Sequence, residues 1–156
     1  MIQPSSVHST FVIERTINAA PSRVFAAFAT DEAKRAWFGG GAFEPGSRTF
    51  DFRVGGREHL SGRWTNGVVH KFDLIYYDIV ENHRLVYAYE MHLDDARISV
   101  SLATIEFVAA GDKTRFTLTE QGVYLDGYDD AGRREHGTTV MIDKLVALFD
   151  NAKAET

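Results

Sequence analysis

Apolar and polar residues alternate along much of this chain, and the alternation gives way to a helical period in two places. Thr10–Asn18 sets Phe11, Ile13 and Ile17 on one face of a strand, with Arg15 on the same face and in need of a partner. Pro21 then suits the first turn of a helix that groups Val24, Phe25 and Phe28. Thr30 or Asp31 can cap a second short helix, Glu32–Phe38, which stops at Gly39-Gly40-Gly41. From Arg48 onward the period is two again. Strands are expected at Arg48–Val54 (Phe50, Phe52 and Val54 on one face), Arg57–Trp64, Val68–Val80, Arg84–His92, Ile98–Phe107 and Thr114–Gln121. Turn signals separate them at Gly55-Gly56, Asn66-Gly67, Glu81-Asn82, Asp94-Asp95 and Gly111-Asp112. Strands joined this tightly are antiparallel neighbours, because a parallel crossover needs about a dozen residues or more.

The last long segment, Asp130–Asn151, is helical in period, with Met141, Leu145, Leu148 and Phe149 on one face and Ile142 and Val146 widening the stripe. Burying each such side chain is worth ~1.5–3 kcal/mol, whereas helix propensities differ by less than ~1 kcal/mol among ordinary residues. The helix therefore depends on something that covers its stripe. One antiparallel sheet has an apolar face that only this helix is long enough to cover. The expected architecture is α+β: a curved antiparallel sheet of about seven strands wrapped around a long C-terminal helix, with two short helices after the first strand. A single domain should span residues 1–156. Upstream of Met141, the stretch Glu135–Thr139 brings little bulk, so the same face should border a space there.

Composition narrows the function classes. The net charge of -5 opposes a phosphate-binding track, so no nucleic acid is expected. Without cysteine there can be no disulfide, thiolate metal site or thiol nucleophile. No run approaches the ~18 apolar residues of a membrane span. The opening MIQPSSVHST lacks the basic start and apolar core of an export signal, so a cytoplasmic location is expected. The glycine run at Gly39 does not end in Gly-Lys-Ser/Thr and is not a phosphate loop.

Several stretches together resemble a known family. Phe11–Phe38, Asp51–Arg57, Leu85–Met91, Thr119–Gly127 and Arg134–Gly137, in that order and spacing, are similar to the bacterial branch of the SRPBCC (START-like) superfamily related to the activator of heat-shock protein ninety ATPase. The resemblance spans nearly the whole chain and implies the helix-grip fold, with a cavity between sheet and helix. Many relatives carry Gly-Trp near the start of the last helix. Here Gly137 is followed by Thr138, which removes a bulky plug and implies a larger or wetter ligand space. The superfamily includes ligand carriers, cyclases and dehydratases, hormone receptors and chaperone activators, so the likeness alone implies no reaction.

The aromatic supply is generous: Trp37, Phe38, Phe43, Phe50, Phe52, Trp64, Phe72, Tyr76, Tyr87, Tyr89 and Tyr124. Each can be plain core, but as a group they suit an apolar pocket with a few orienting polar groups. Trp37, Phe52, Trp64, Tyr76, Tyr89, Met91, Thr138, Met141 and Leu145 are the expected ligand-binding residues. Glu120 shares a strand face with Phe116 and Leu118 and should point inward, where a carboxylate must be paired or protonated. A Glu120–His136 pair with Tyr89 nearby would make an acid/base set, or a structural bond that locks helix to sheet, with Gln121 and Tyr124 fixing the adjoining loop. His59, His70 and His92 lie on different strands without zinc-site spacing, and His8 and His83 read as terminus and turn residues, so neither metal nor cofactor is expected. Asp126–Asp130 lacks the calcium-loop frame, and its acids suit the start of the long helix. There is no Gly-x-Ser-x-Gly elbow.

Three functions remain: a binder of a small hydrophobic or aromatic molecule, an enzyme of polyketide cyclase/dehydratase or hydrolase type using Glu120, His136 and Tyr89, and a partner that stimulates a chaperone ATPase. The binding role accounts for most of these features. Strand edges also make a homodimer an option.

Overall fold

The computed structural model describes residues 3–39 and 44–154. Gly40 and Gly41 of the glycine run, and the aromatic Phe43, lie outside the described residues. The order is β1 (Ser6–Ile17), α1 (Pro21–Ala29), α2 (Asp31–Arg35), β2 (Glu44–Phe50), β3 (Arg57–Arg63), β4 (Val69–Val80), β5 (Arg84–Leu93), β6 (Ala96–Ala110), β7 (Lys113–Leu125) and α3 (Ala131–Ala154). The seven strands form one antiparallel sheet, ordered β1-β7-β6-β5-β4-β3-β2, so the meander closes with the first strand beside the last. This is the α+β helix-grip arrangement, with α3 against one face of the sheet.

The boundaries differ most from the expectations at β1, β2 and α2, and β6 is also longer, Ala96–Ala110 rather than Ile98–Phe107. β1 starts at Ser6 rather than Thr10 because Ser6 to Ser9 pair with Gly122 to Leu125, which also carries β7 past Gln121. β2 covers residues 44–50 rather than 48–54, which leaves Phe52 and Val54 outside any strand. Gly55 has φ 83°, a region glycine enters freely, and its N–H donates to the Tyr76 carbonyl at 2.8 Å while the Tyr76 N–H donates to the Gly56 carbonyl at 3.0 Å. A Cβ at Gly56 would collide with the Asp51 carbonyl, so the turn that ends the alternation requires glycine at this position. Finally, α2 ends at Arg35, although Phe38 N–H still donates to the Lys34 carbonyl at 2.9 Å. Thr30 supplies its cap, accepting from Ala33 N–H at 3.1 Å.

The core lies between the sheet and the helices. Ile142 and Leu145 of α3 are buried with Ile13, Ile17, Ile105, Phe116 and Leu118, and α1 adds Val24 and Phe28. Phe28 packs edge-on to Trp37 at 4.8 Å and near Phe116 at 6.1 Å. Arg15 finds its partner on α3, its Nε donating to Asp143 Oδ1 at 2.9 Å. Asp130 caps α3, its Oδ1 accepting from Arg133 N–H at 2.9 Å. No described helix is long and apolar enough to cross a membrane.

Candidate functional site

Toward the N-terminal half of α3 the core opens. A cavity of about 330 Å³ lies between α3, α2 and the inner faces of β3 to β7. Its walls are mostly aromatic and aliphatic, from Trp37 and Phe38 after α2 to Phe72, Leu74 and Met91 on the sheet and Met141 and Ile142 on α3. Gly137 is part of the rim, and a Cβ built there would meet nothing within 4 Å. The low bulk of residues 135–139 thus coincides with open space.

Two buried polar clusters meet the cavity wall, the first through Tyr89, Glu120 and Arg134 and the second through Lys34. In the first, buried Tyr89 on β5 donates to Glu120 Oε2 on β7 at 2.8 Å and accepts from Arg134 Nη1 on α3 at 3.1 Å. Arg134 Nη2 also donates to Ser99 Oγ at 2.8 Å and to Asp129 Oδ2 at 3.0 Å, and the guanidinium lies over the rings of Tyr89 and Tyr124. Burial raises the pKa of Glu120 to about 7, against the hydrogen bond from Tyr89 and the charge of Arg134, which both lower it. The Tyr89 hydroxyl is pushed up by burial and then by the neighbouring Glu120. Burial disfavours the Arg134 charge, yet Tyr89, Asp129 and Glu120 outweigh it and hold its pKa above the ordinary value. Glu120 can therefore gain or lose a proton near neutrality beside a permanent cation.

The second cluster is more closed. Lys34 Nζ on α2 donates to Glu58 Oε2 on β3 at 2.7 Å, and Tyr76 Oη donates to the same oxygen at 2.9 Å. Lys34 also lies 4.6 Å from the centroid of the Phe38 ring. Burial lowers its pKa despite the opposing charge of Glu58.

Of the residues proposed from sequence, Trp37, Trp64, Tyr89, Met91, Thr138 and Met141 line the cavity, as do Glu120 and Phe72. The structure brings Phe52, Tyr76 and Leu145 elsewhere. Phe52 sits in the turn after β2 against Phe25 and Tyr76. Tyr76 is held behind the wall by Glu58, and Leu145 is sealed in the main core. The expected Glu120–His136 pair does not form, since His136 lies on the exposed side of α3. Two residues along a helix rotate a side chain by roughly 200°, so His136 turns outward when Arg134 turns inward.

Arg134 occupies the place expected for His136, and its position was readable: it precedes Thr138 by four residues and Met141 by seven, on the same helical face. Glu58 carried the same signal as Glu120, a carboxylate on a strand face shared with apolar Leu60. Lys34 carried none, because a lysine among Asp31, Glu32 and Arg35 reads as solvated surface.

Residues 18–150 match the model of a protein family described as Activator of Hsp90 ATPase homolog 1-like protein. No curated protein matches the chain at a significant level. Among solved structures, an uncharacterized protein from Rhizobium leguminosarum is 43% identical over 96% of this chain and 99% of its own, with a TM-score of 0.90. A protein from Rhizobium loti is 42% identical over 92% of this chain and 98% of its own, with a TM-score of 0.85. A Chromobacterium violaceum protein, 23% identical over 90% of this chain and 96% of its own, shares the fold with a TM-score of 0.75.

Proposed function

The chain belongs to the Activator of Hsp90 ATPase homolog 1-like family, whose fold is in general a ligand-binding one, and we propose that it binds one small, largely apolar molecule between α3 and the sheet. The observation that carries this reading is the cavity itself, about 330 Å³ of mostly apolar wall with the Arg134–Tyr89–Glu120 cluster at one place on it. Its volume falls at the low end of the ~300–1,000 Å³ of small-molecule sites, and a few convergent polar groups on an apolar wall are their usual makeup. The body of the ligand would lie against Trp37, Phe72, Met91 and Met141. Its polar group would meet Glu120 or Arg134. A Glu120 near its midpoint accepts a hydrogen bond from a hydroxyl when ionised and donates one to a carbonyl when protonated.

Native mass spectrometry of the purified protein, followed by thermal-shift screening with aromatic and aliphatic acids and alcohols, tests the proposal. Thr138→Trp provides the control, because the indole would fill the space beside Gly137. The expected result is a ligand that raises the unfolding temperature of the parent and has no effect on a folded Thr138→Trp protein. A ligand that stabilises both equally would overturn the assignment of the cavity.

A second reading, an enzyme, is favoured by the pKa of about 7 at Glu120, the value that suits a general acid or base at neutral pH. In that reading Glu120 moves the proton while Tyr89 and Arg134 orient it. Glu120→Gln keeps the shape of the cluster and would abolish turnover of a ligand found by the screen while leaving its binding in place.

A further inference from the structure

We propose that the outer face of the sheet, on the side away from the cavity, carries a divalent transition-metal site formed by Asp73, Glu90 and His92. Asp73 on β4 is paired directly with Glu90 on β5. His92 lies two residues further along β5 and therefore on the same face as Glu90, while Tyr89 and Met91 between and before them point into the cavity. One donor atom from each of the three side chains lies within 4.8 Å of the others. Donors that sit ~2.0–2.2 Å from one ion are at most ~4.4 Å apart, so small rotations of these half-buried side chains would close the set.

The donors and their surroundings suit the role. One imidazole with two carboxylates is a nitrogen-oxygen set for a borderline ion such as Zn²⁺ or Co²⁺, and three protein ligands leave a position for water. Asp73 is held from outside the set: its Oδ1 lies 2.6 Å from His59 Nδ1, and His59 Nε2 lies 2.8 Å from Ser47 Oγ. A chain of this kind is how proteins orient a metal-ligating carboxylate. His92 Nδ1 is enclosed and has no hydrogen-bond partner among the described residues, which leaves the imidazole without a structural bond at that nitrogen. The nearby cations are Arg97, which reaches Glu90 at 3.5 Å, and Lys71, the register partner of His92. Arg97 is the group an incoming ion would displace. Four strands contribute to the arrangement, which is why no spacing along the chain announces it.

Co²⁺ titration of the full chain, read by visible absorption and calorimetry with Zn²⁺ in competition, tests the site. The expected result is saturable binding of one ion per chain, displaced by Zn²⁺. His92→Ala and Asp73→Asn should each weaken it by at least about 10-fold, and His59→Ala by about 10-fold through loss of orientation. Arg97→Ala should tighten it, and His83→Ala should leave it unchanged. Each variant is first shown to unfold at the parent's temperature in chelator; all these side chains are half-buried or exposed, and His92→Ala and Asp73→Asn serve as independent reports if one fails. Absence of saturable binding below about 1 mM, or binding unchanged in both His92→Ala and Asp73→Asn, overturns the proposal.

Discussion

The two buried charge clusters beside the cavity solve the same problem differently. Lys34 and Glu58 meet directly at 2.7 Å, whereas Glu120 reaches its cation, Arg134, only through the hydroxyl of Tyr89. A direct pair buried this deeply needs both charges, because either one alone would be stranded in a poor dielectric. A relay through a neutral hydroxyl leaves the carboxyl weakly compensated, so burial dominates and its pKa rises to about 7. The first arrangement ties α2 to β3. The second leaves a titratable group facing the ligand space.

The sharpest way to break this contrast is to remove one charge from the direct pair. Lys34→Ala strands Glu58, one of whose oxygens already has no hydrogen-bond partner among the described residues, and should destabilise the fold by ~3–5 kcal/mol. Replacing the whole cluster by apolar residues of similar size, Lys34→Met with Glu58→Leu and Tyr76→Phe, should recover most of that loss in denaturant unfolding, because no buried polar group is then left without its partner. If the triple variant is as unstable as the single one, the three residues are not a self-contained unit.

The relay should show itself through pH. The Glu120 carboxyl has a folded pKa of about 7 against an ordinary 4.5, so the native state holds its proton more tightly than the unfolded chain. Its contribution is fully present below pH 4.5 and is lost as the pH rises to about 7. At about 1.36 kcal/mol per pH unit this amounts to about 3 kcal/mol. Glu120→Gln, which cannot ionise, should flatten that decline and be more stable than the parent at pH 8. Unfolding free energies measured across this range decide the matter, and a parent and variant that decline in parallel would place the titration elsewhere.

Tyr89→Phe attacks the bridge itself. It leaves both Arg134 and Glu120 short of a partner and should destabilise by ~1–3 kcal/mol. Because the tyrosine bond lowers the Glu120 pKa, its loss should extend the pH-dependent decline to higher pH while its start near pH 4.5 stays in place. The same stability profile reads both effects, and a shift to lower pH would contradict the relay.

These clusters also mark where the chain was legible. Alternation and turn residues announced seven strands and the antiparallel order of β2 to β7, because each turn between those six is short, whereas the pairing of β1 with β7 joins the two ends of the sheet and no turn announces it. The inward carboxylate of Glu120 was equally visible beside Phe116 and Leu118. His136 misled because a histidine invites an acid/base role, while helical rotation favoured Arg134, the residue on the face of Thr138 and Met141. Phe52 continued the alternation of β2 on paper, but the chain turns at residues 51–56, where Arg53 N–H donates to the Asp51 carbonyl and Gly56 N–H to the Arg53 carbonyl, a local closure that a period of two does not record. Lys34, and the meeting of Asp73 with Glu90 and His92, depend on pairings between segments distant in the chain, where local periodicity carries no information.

The smallest expected effect separates the relay from the rest of the Arg134 network. Ser99 accepts from Arg134 Nη2 at 2.8 Å, but Asp129 accepts from the same nitrogen at 3.0 Å and Tyr89 from the other, so the guanidinium keeps its orientation without Ser99. Ser99→Ala therefore removes one hydrogen bond to a charged group that has other partners, a loss of ~1 kcal/mol. It touches neither Tyr89 nor Glu120 directly. The unfolding curve should shift down by that amount at every pH, with the decline between pH 4.5 and about 7 unmoved. A displaced decline would mean that Ser99 fixes how close the Arg134 charge sits to Glu120, and the contrast between the two clusters would then rest on the placement of the cation as much as on the tyrosine hydroxyl.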